Sequence, residues 1–65
     1  MKLIINGEDM QLDVKTLDEV VKHYGLEQNL VVTEVDGTII DRTNWSETEL
    51  KDGMKIELVH FVGGG

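Results

Sequence analysis

Thr16-Leu17-Asp18-Glu19-Val20-Val21-Lys22-His23-Tyr24-Gly25 is the stretch on which the fold turns. It opens with a capping box. The Thr16 hydroxyl can accept from the Glu19 amide while the Glu19 carboxylate reaches back to Thr16. Leu17, Val20, Val21 and Tyr24 recur at helical spacing and form one apolar stripe. Gly25 supplies the left-handed residue that ends the helix, and Leu26 is placed to pack back on it. A short helix with both ends specified must bury that stripe against something else.

On the N-terminal side, Lys2-Leu3-Ile4-Ile5 is β-rich and Asn6-Gly7 suits the positive φ angles of a tight hairpin. Met10, Leu12 and Val14 then alternate with Gln11, Asp13 and Lys15, a period of two with one buried face. The first 15 residues therefore predict a hairpin. On the C-terminal side, Leu30 to Val35 reads as a strand that turns at Asp36-Gly37 into a short return, Thr38-Ile39-Ile40. Periodicity is lost from Asp41 to Glu49, which predicts a loop with room for one helical turn. After the turn at Asp52-Gly53, Met54 to Phe61 is the last strand, with Met54, Ile56 and Leu58 on one face.

Hairpin, helix, strand pair and final strand describe one mixed sheet of four to five strands wrapped on one helix. This α+β order is the β-grasp, or ubiquitin-like, arrangement. In it the last strand lies in the sheet centre beside the first. Residues 1–61 form the expected domain and residues 62–65 an expected flexible glycine tail.

At 65 residues the chain supports one domain with one small core. It has no cysteine, so neither a disulfide nor a thiolate zinc site contributes to stability. Thirteen acids against six bases leave a net charge of −7. That balance disfavours nucleic acid and anionic membrane surfaces as partners, because both need a basic patch. It suits solubility or steering toward a basic partner. No apolar run reaches membrane-spanning length and the N-terminus is too short for a signal peptide, so a cytoplasmic location is expected.

The end of the chain carries the chemistry. Val59 and Phe61 alternate onto the face opposite Ile56 and Leu58, and with Val62 they form the expected partner surface. Gly63, Gly64 and Gly65 follow. Such a run can be a frayed end. It can also thread a narrow channel, since glycine has no Cβ and leaves the backbone free to be held by hydrogen bonds. Ordering it on docking costs about 1–2 kcal/mol per residue, which an anchored apolar patch can offset. A terminal carboxylate, with a pKa near ~3.3, is ionised at neutral pH and is a poor electrophile. An acyl-adenylate made with ATP on a partner would activate it, and a sulfur nucleophile could then displace AMP to leave a thiocarboxylate.

The runs Ile40-Asp41-Arg42-Thr43-Asn44-Trp45, Leu50-Lys51-Asp52-Gly53 and Ile56 to Gly65 resemble the sulfur-carrier proteins of thiamin biosynthesis, the ThiS family. The resemblance covers essentially the whole chain and is most specific at the tail. It implies that Gly65 bears the adenylate and then the thiocarboxylate, with Gly63 and Gly64 threading. It implies a ThiF-type adenylating enzyme, thiazole synthase and a sulfur donor such as a cysteine desulfurase as partners. ATP would be used by the adenylating enzyme, with no cofactor bound by the chain itself. The family often has proline before the loop arginine, where this chain has Asp41. The small subunit of molybdopterin synthase shares the fold and a Gly-Gly tail but is usually longer. A ubiquitin-like protein modifier and an interaction module with an inert tail are the further alternatives.

Elsewhere in the chain the structural readings outweigh the functional ones, with a tail contact by His60 as an alternative. His23 and His60 are the only histidines, stand in different elements and lack metal-ligand spacing, and no catalytic group is assigned. Asp9, Asp18, Glu19 and Asp41 read as capping and solvated acids, Arg42 as a loop cation paired with local acids, and Trp45 as a lid on the core edge, with a partner hot spot as its alternative. The chain thus reads as a carrier and co-substrate of other enzymes.

Overall fold

A computed structural model describes residues 1–61. The capping box forms at the start of helix α1, Leu17–His23. The Glu19 carboxylate accepts from the Lys15 and Thr16 backbone N–H groups at 3.2 and 3.3 Å. At the other end Gly25 takes φ +65°. Its N–H donates to Lys22 O at 3.0 Å and the Leu26 N–H to Val21 O at 3.3 Å, a paired C-terminal cap. Leu17, Val20 and Val21 are fully buried. Tyr24 departs from the expected stripe and is 38% exposed. Tyr24 is the C-cap, its N–H still donating to Val20 O at 3.2 Å, and its ring stands edge-on to His23.

The helix covers one face of a five-stranded sheet. Its strands are β1 Lys2–Ile5, β2 Glu8–Gln11, β3 Val31–Val35, β4 Thr38–Ile40 and β5 Lys55–His60. Their order is β2-β1-β5-β3-β4, which places the last strand in the centre. β5 runs parallel to β1, with Ile5 opposite Ile56, and antiparallel to β3, with Val32 opposite Val59. This is the expected mixed β-grasp sheet. Two hairpin turns, Asn6-Gly7 and Asp36-Gly37, have φ between 49° and 85°, the values that Asn/Asp-Gly pairs supply with least strain.

β2 and β3 are shorter than periodicity predicts. Leu30 closes a 3-10 turn, Gln28–Leu30, by donating to Glu27 O, and so stands just outside β3. β2 spans Glu8–Gln11, and Leu12 continues its ladder by one rung, its N–H donating to Met1 O and its carbonyl accepting from the Met1 ammonium, both at 2.9 Å. Leu12 stays buried, with Met10 and Val14 packed against the core.

The aperiodic stretch holds a six-residue 3-10 helix, Arg42–Glu47, rather than a single turn. Asp41 caps it, accepting from the Thr43 N–H at 3.3 Å and from the Thr43 hydroxyl. Asp41, where the resemblance implies proline, thus ties the loop by hydrogen bonds to Thr43. With Asp41 so engaged, Arg42 does not bond to an acid and donates instead to the Asn29 side-chain oxygen. The helix carries Trp45 into the core, where it is 2% exposed and no mere lid. Its indole N–H donates to Thr33 Oγ1 at 2.9 Å and to Ile40 O at 3.2 Å. Thr33, itself fully buried, donates to Ile40 O at 3.0 Å.

Replacing Thr33 with valine removes this relay while keeping the volume. The indole keeps Ile40 O as an acceptor, so urea unfolding should register a loss of about 1 kcal/mol. Unchanged stability would show that the Thr33 hydroxyl contributes nothing. The Thr43 side-chain and backbone hydrogen bonds hold the Asp41 carboxyl below its ordinary range. Its contribution is therefore complete above the unfolded carboxylate pKa and disappears as pH falls through the lowered folded value. In Thr43→Val the Asp41 titration, followed by NMR, should move up toward the ordinary carboxylate value.

Candidate functional site: the outer face and end of the last strand

The helix occupies one face of the sheet, so the opposite face meets solvent. On β5 the alternation is as expected: Ile56 and Leu58 are buried, whereas Val59 and Phe61 are 45% and 55% exposed. Phe61 is not a loose end. Its N–H donates to Leu30 O at 2.6 Å, which continues the β3–β5 ladder beyond the last strand residue. The backbone therefore holds an exposed ring in a defined place, directly before the glycine run.

Two further residues join this surface through strand register. Val32 lies directly opposite Val59, and Ile39, 68% exposed, lies one row along on β4. Phe61, Val59, Val32 and Ile39 thus step across three strands as one apolar strip. Neither Val32 nor Ile39 stood out in the sequence as more than strand residues. Their position depends on pairings with residues far along the chain.

The strip is bordered by acids. Glu34 and Glu57 face each other across β3 and β5 on the outer surface. Together with Asp36, Gly37 and Lys55 they line a depression of about 410 Å³. Among the described residues the ion pair within 4 Å is Lys2–Asp9 at 3.9 Å, between β1 and β2 toward the opposite edge of the sheet. Glu34 and Glu57 have no such partner there. His60 is exposed near the end of β5, His23 lies on α1, and the described residues contain no metal-ligand cluster. No helix of the described residues is long and apolar enough to cross a membrane. Val62, Gly63, Gly64 and Gly65 of the expected site, and the expected tail 62–65, lie outside the described residues.

One helix on a five-stranded mixed sheet, with the first and last strands side by side at its centre, defines a ubiquitin-like β-grasp protein. Residues 3–65 match the family model described as the ThiS family. The chain belongs to the ThiS family. It is 40% identical to the sulfur carrier protein ThiS of Bacillus subtilis (strain 168), over 97% of this chain and 98% of that one. It is also 32% identical to a thiazole synthase of Paramagnetospirillum magneticum, where the whole of this chain aligns with 20% of the relative. The crystal structure of a thiamine biosynthesis protein (ThiS) from Geobacter metallireducens superposes with a TM-score of 0.80 at 29% identity, covering both chains fully. A solution structure of a thiamine biosynthesis protein from the same organism gives 0.82 at 28% identity, over the whole of this chain and 88% of that one.

Like charges directly opposite on a sheet are destabilising, so Glu57→Gln should raise stability by a few tenths of a kcal/mol, roughly 0.2–1. The gain should shrink in high salt as screening weakens the repulsion. Thermal unfolding at low and high salt checks both, and a loss of stability would show that Glu57 makes a favourable contact instead.

Proposed function

We propose that the chain is a sulfur carrier protein of thiamin biosynthesis and that the Gly65 carboxylate is the group it loads. The observation that carries this reading is the ThiS family match, which runs to Gly65 and includes Gly63 and Gly64. The chain would act as a carrier and co-substrate, with catalysis on its partners. A ThiF-type enzyme would use ATP: a carboxylate oxygen attacks the α-phosphorus, pyrophosphate leaves, and an acyl-adenylate forms. A sulfur nucleophile at the oxidation level of sulfide then attacks the acyl carbon, AMP departs, and a thiocarboxylate remains. A cysteine desulfurase would supply the sulfur as a persulfide instead: its terminal sulfur attacks the acyl carbon, AMP departs, and a second thiol then cleaves the resulting acyl disulfide, leaving the thiocarboxylate and a new disulfide.

Thiazole synthase is the consumer that the comparisons favour. The whole of this chain aligns with a fifth of two thiazole synthases, at 32% and 30% identity. A carrier-like segment on the same polypeptide as the synthase fits a working pair. The exposed Val59 and Phe61, with Val62 beyond them, form the surface that a partner grips before the glycines thread. The expected cytoplasmic setting suits a carrier that shuttles between soluble enzymes.

Mass spectrometry after incubation with ATP, a ThiF-type enzyme and a sulfide source tests this. The full chain should gain the mass difference of one oxygen exchanged for sulfur. Removing Gly65 should abolish the gain while leaving the unfolding midpoint unchanged. Loading that survives the truncation would overturn the site assignment, and a ladder of protein adducts would indicate a modifier instead.

A further inference from the structure

The β1 side of β5 is occupied in an unusual way near the tail. Alternate residues of β5 direct their backbone groups to alternate neighbours. Lys55 O accepts from Asp36 N–H and Phe61 N–H donates to Leu30 O, so the odd-numbered residues face β3 and its continuation. Met54 O accepts from Ile4 N–H at 3.0 Å and Ile56 O from Asn6 N–H at 2.9 Å, so the even-numbered ones face β1. Leu58 comes next on that side, but β1 ends at Ile5 and the chain turns away at Asn6-Gly7.

The Asn6 side chain fills the missing place. Leu58 N–H donates to Asn6 Oδ1 at 2.8 Å, and Asn6 Nδ2 donates to Leu58 O at 3.3 Å. A planar amide with one acceptor and a donor thus substitutes for the next peptide group of β1. Leu58 is 8% exposed, so without Asn6 both groups would lack a partner on a largely buried residue.

The turn alone does not account for asparagine. Asp36-Gly37 makes a turn with similar φ values, and there the side-chain oxygen only accepts, from Lys55 N–H at 3.0 Å. Where an acceptor suffices the chain has aspartate, and where both a donor and an acceptor are needed it has asparagine.

We propose that Asn6 is a positioning residue for tail loading: its amide extends the β1–β5 ladder to Leu58 and so sets the direction in which β5 delivers the tail. This rests on the reading that Gly65 is the loaded terminus. β3 alone still holds Val59 and Phe61, so the docking strip does not depend on Asn6. Loss of the amide should therefore change how often a docked tail reaches the adenylating site, and not whether the domain docks.

Asn6→Gly tests this, because glycine keeps the positive φ and removes only the amide. Asn6→Asp keeps the acceptor and loses the donor, and it serves as the second variant if the first folds poorly. The readouts are Leu58 amide hydrogen exchange, and carrier-dependent ATP–pyrophosphate exchange with a ThiF-type enzyme, run well below the unfolding midpoint. In Asn6→Gly, Leu58 exchange should accelerate about 10-fold or more. The kcat should fall about 10-fold or more, as misaimed reacting groups do, with KM within about twofold of the parent. Asn6→Asp should lie between. Accelerated Leu58 exchange with unchanged kcat would overturn the proposal, as would a rise in KM alone or unchanged Leu58 exchange. If the parent chain supports no exchange of pyrophosphate, the loading reading itself fails, whereas the Leu58 exchange rates still report whether the hydrogen bond to Asn6 forms.

Discussion

The parallel contact between the first strand and the last is the constraint on which the rest depends. It brings Ile4 and Ile5 beside Lys55 and Ile56, closing nearly the whole chain into one loop. The entropy of closing a loop grows only slowly with length, by about 0.6 kcal/mol per doubling. Burial of Leu3, Ile5, Ile56 and Leu58 offsets it, each such side chain being worth about 1.5–3 kcal/mol when fully removed from water. The contact is reinforced from both ends. Gly53 N–H donates to Lys2 O and Lys2 N–H to Asp52 Oδ1, both at 2.8 Å, while Asn6 reaches Leu58 at the far end. With β5 pinned between β1 and β3, everything beyond it starts from a defined place.

A single helix can cover only one face of such a sheet, and that asymmetry divides the labour. The inner face holds Leu17, Val20 and Val21 against the buried strand residues, and Trp45 reaches in from the 3-10 helix to close one end. The indole–Thr33–Ile40 relay satisfies the polar groups that this closure buries. The outer face is left to carry an apolar strip and an opposed pair of glutamates, neither of which serves the core. A surface that adds nothing to packing, and in the glutamates works against stability, fits a role in meeting another protein.

The carrier reading follows from the same geometry. In a protein that hands its terminus to enzymes, the domain has two tasks: to be recognised and to present an end. Recognition suits the strip around Val59 and Phe61, and presentation suits a central strand held on both edges up to Leu58. The acidic net charge would steer the encounter with a basic partner surface, and glycine at Gly63 to Gly65 would let the backbone enter a narrow site. The full-length likeness to sulfur carrier proteins and to part of thiazole synthases agrees with a protein of this design.

Local signals in the sequence determined the elements of this fold. The capping box at Thr16 to Glu19, the stop at Gly25, the Asn-Gly and Asp-Gly turns and the alternation on β5 act over a few residues, so they can be read without a partner segment. The outward placement of Val59 and Phe61 followed from the same alternation, whereas the strand order was expected only from the β-grasp arrangement that the elements suggested. The tertiary structure alone decided which distant groups meet. Asn6 looked like a turn residue until its amide was found at Leu58, 52 positions away. Trp45 looked like a lid until Thr33 supplied a buried acceptor, and Tyr24, at the end of the apolar stripe, stands partly in solvent against His23. The opposition of Glu34 to Glu57 and the union of Ile39 and Val32 with Phe61 are likewise matters of register. Hydrogen bonds and contacts between remote segments depend on how strands align, and that alignment is set by burial of the whole core rather than by any one stretch of chain.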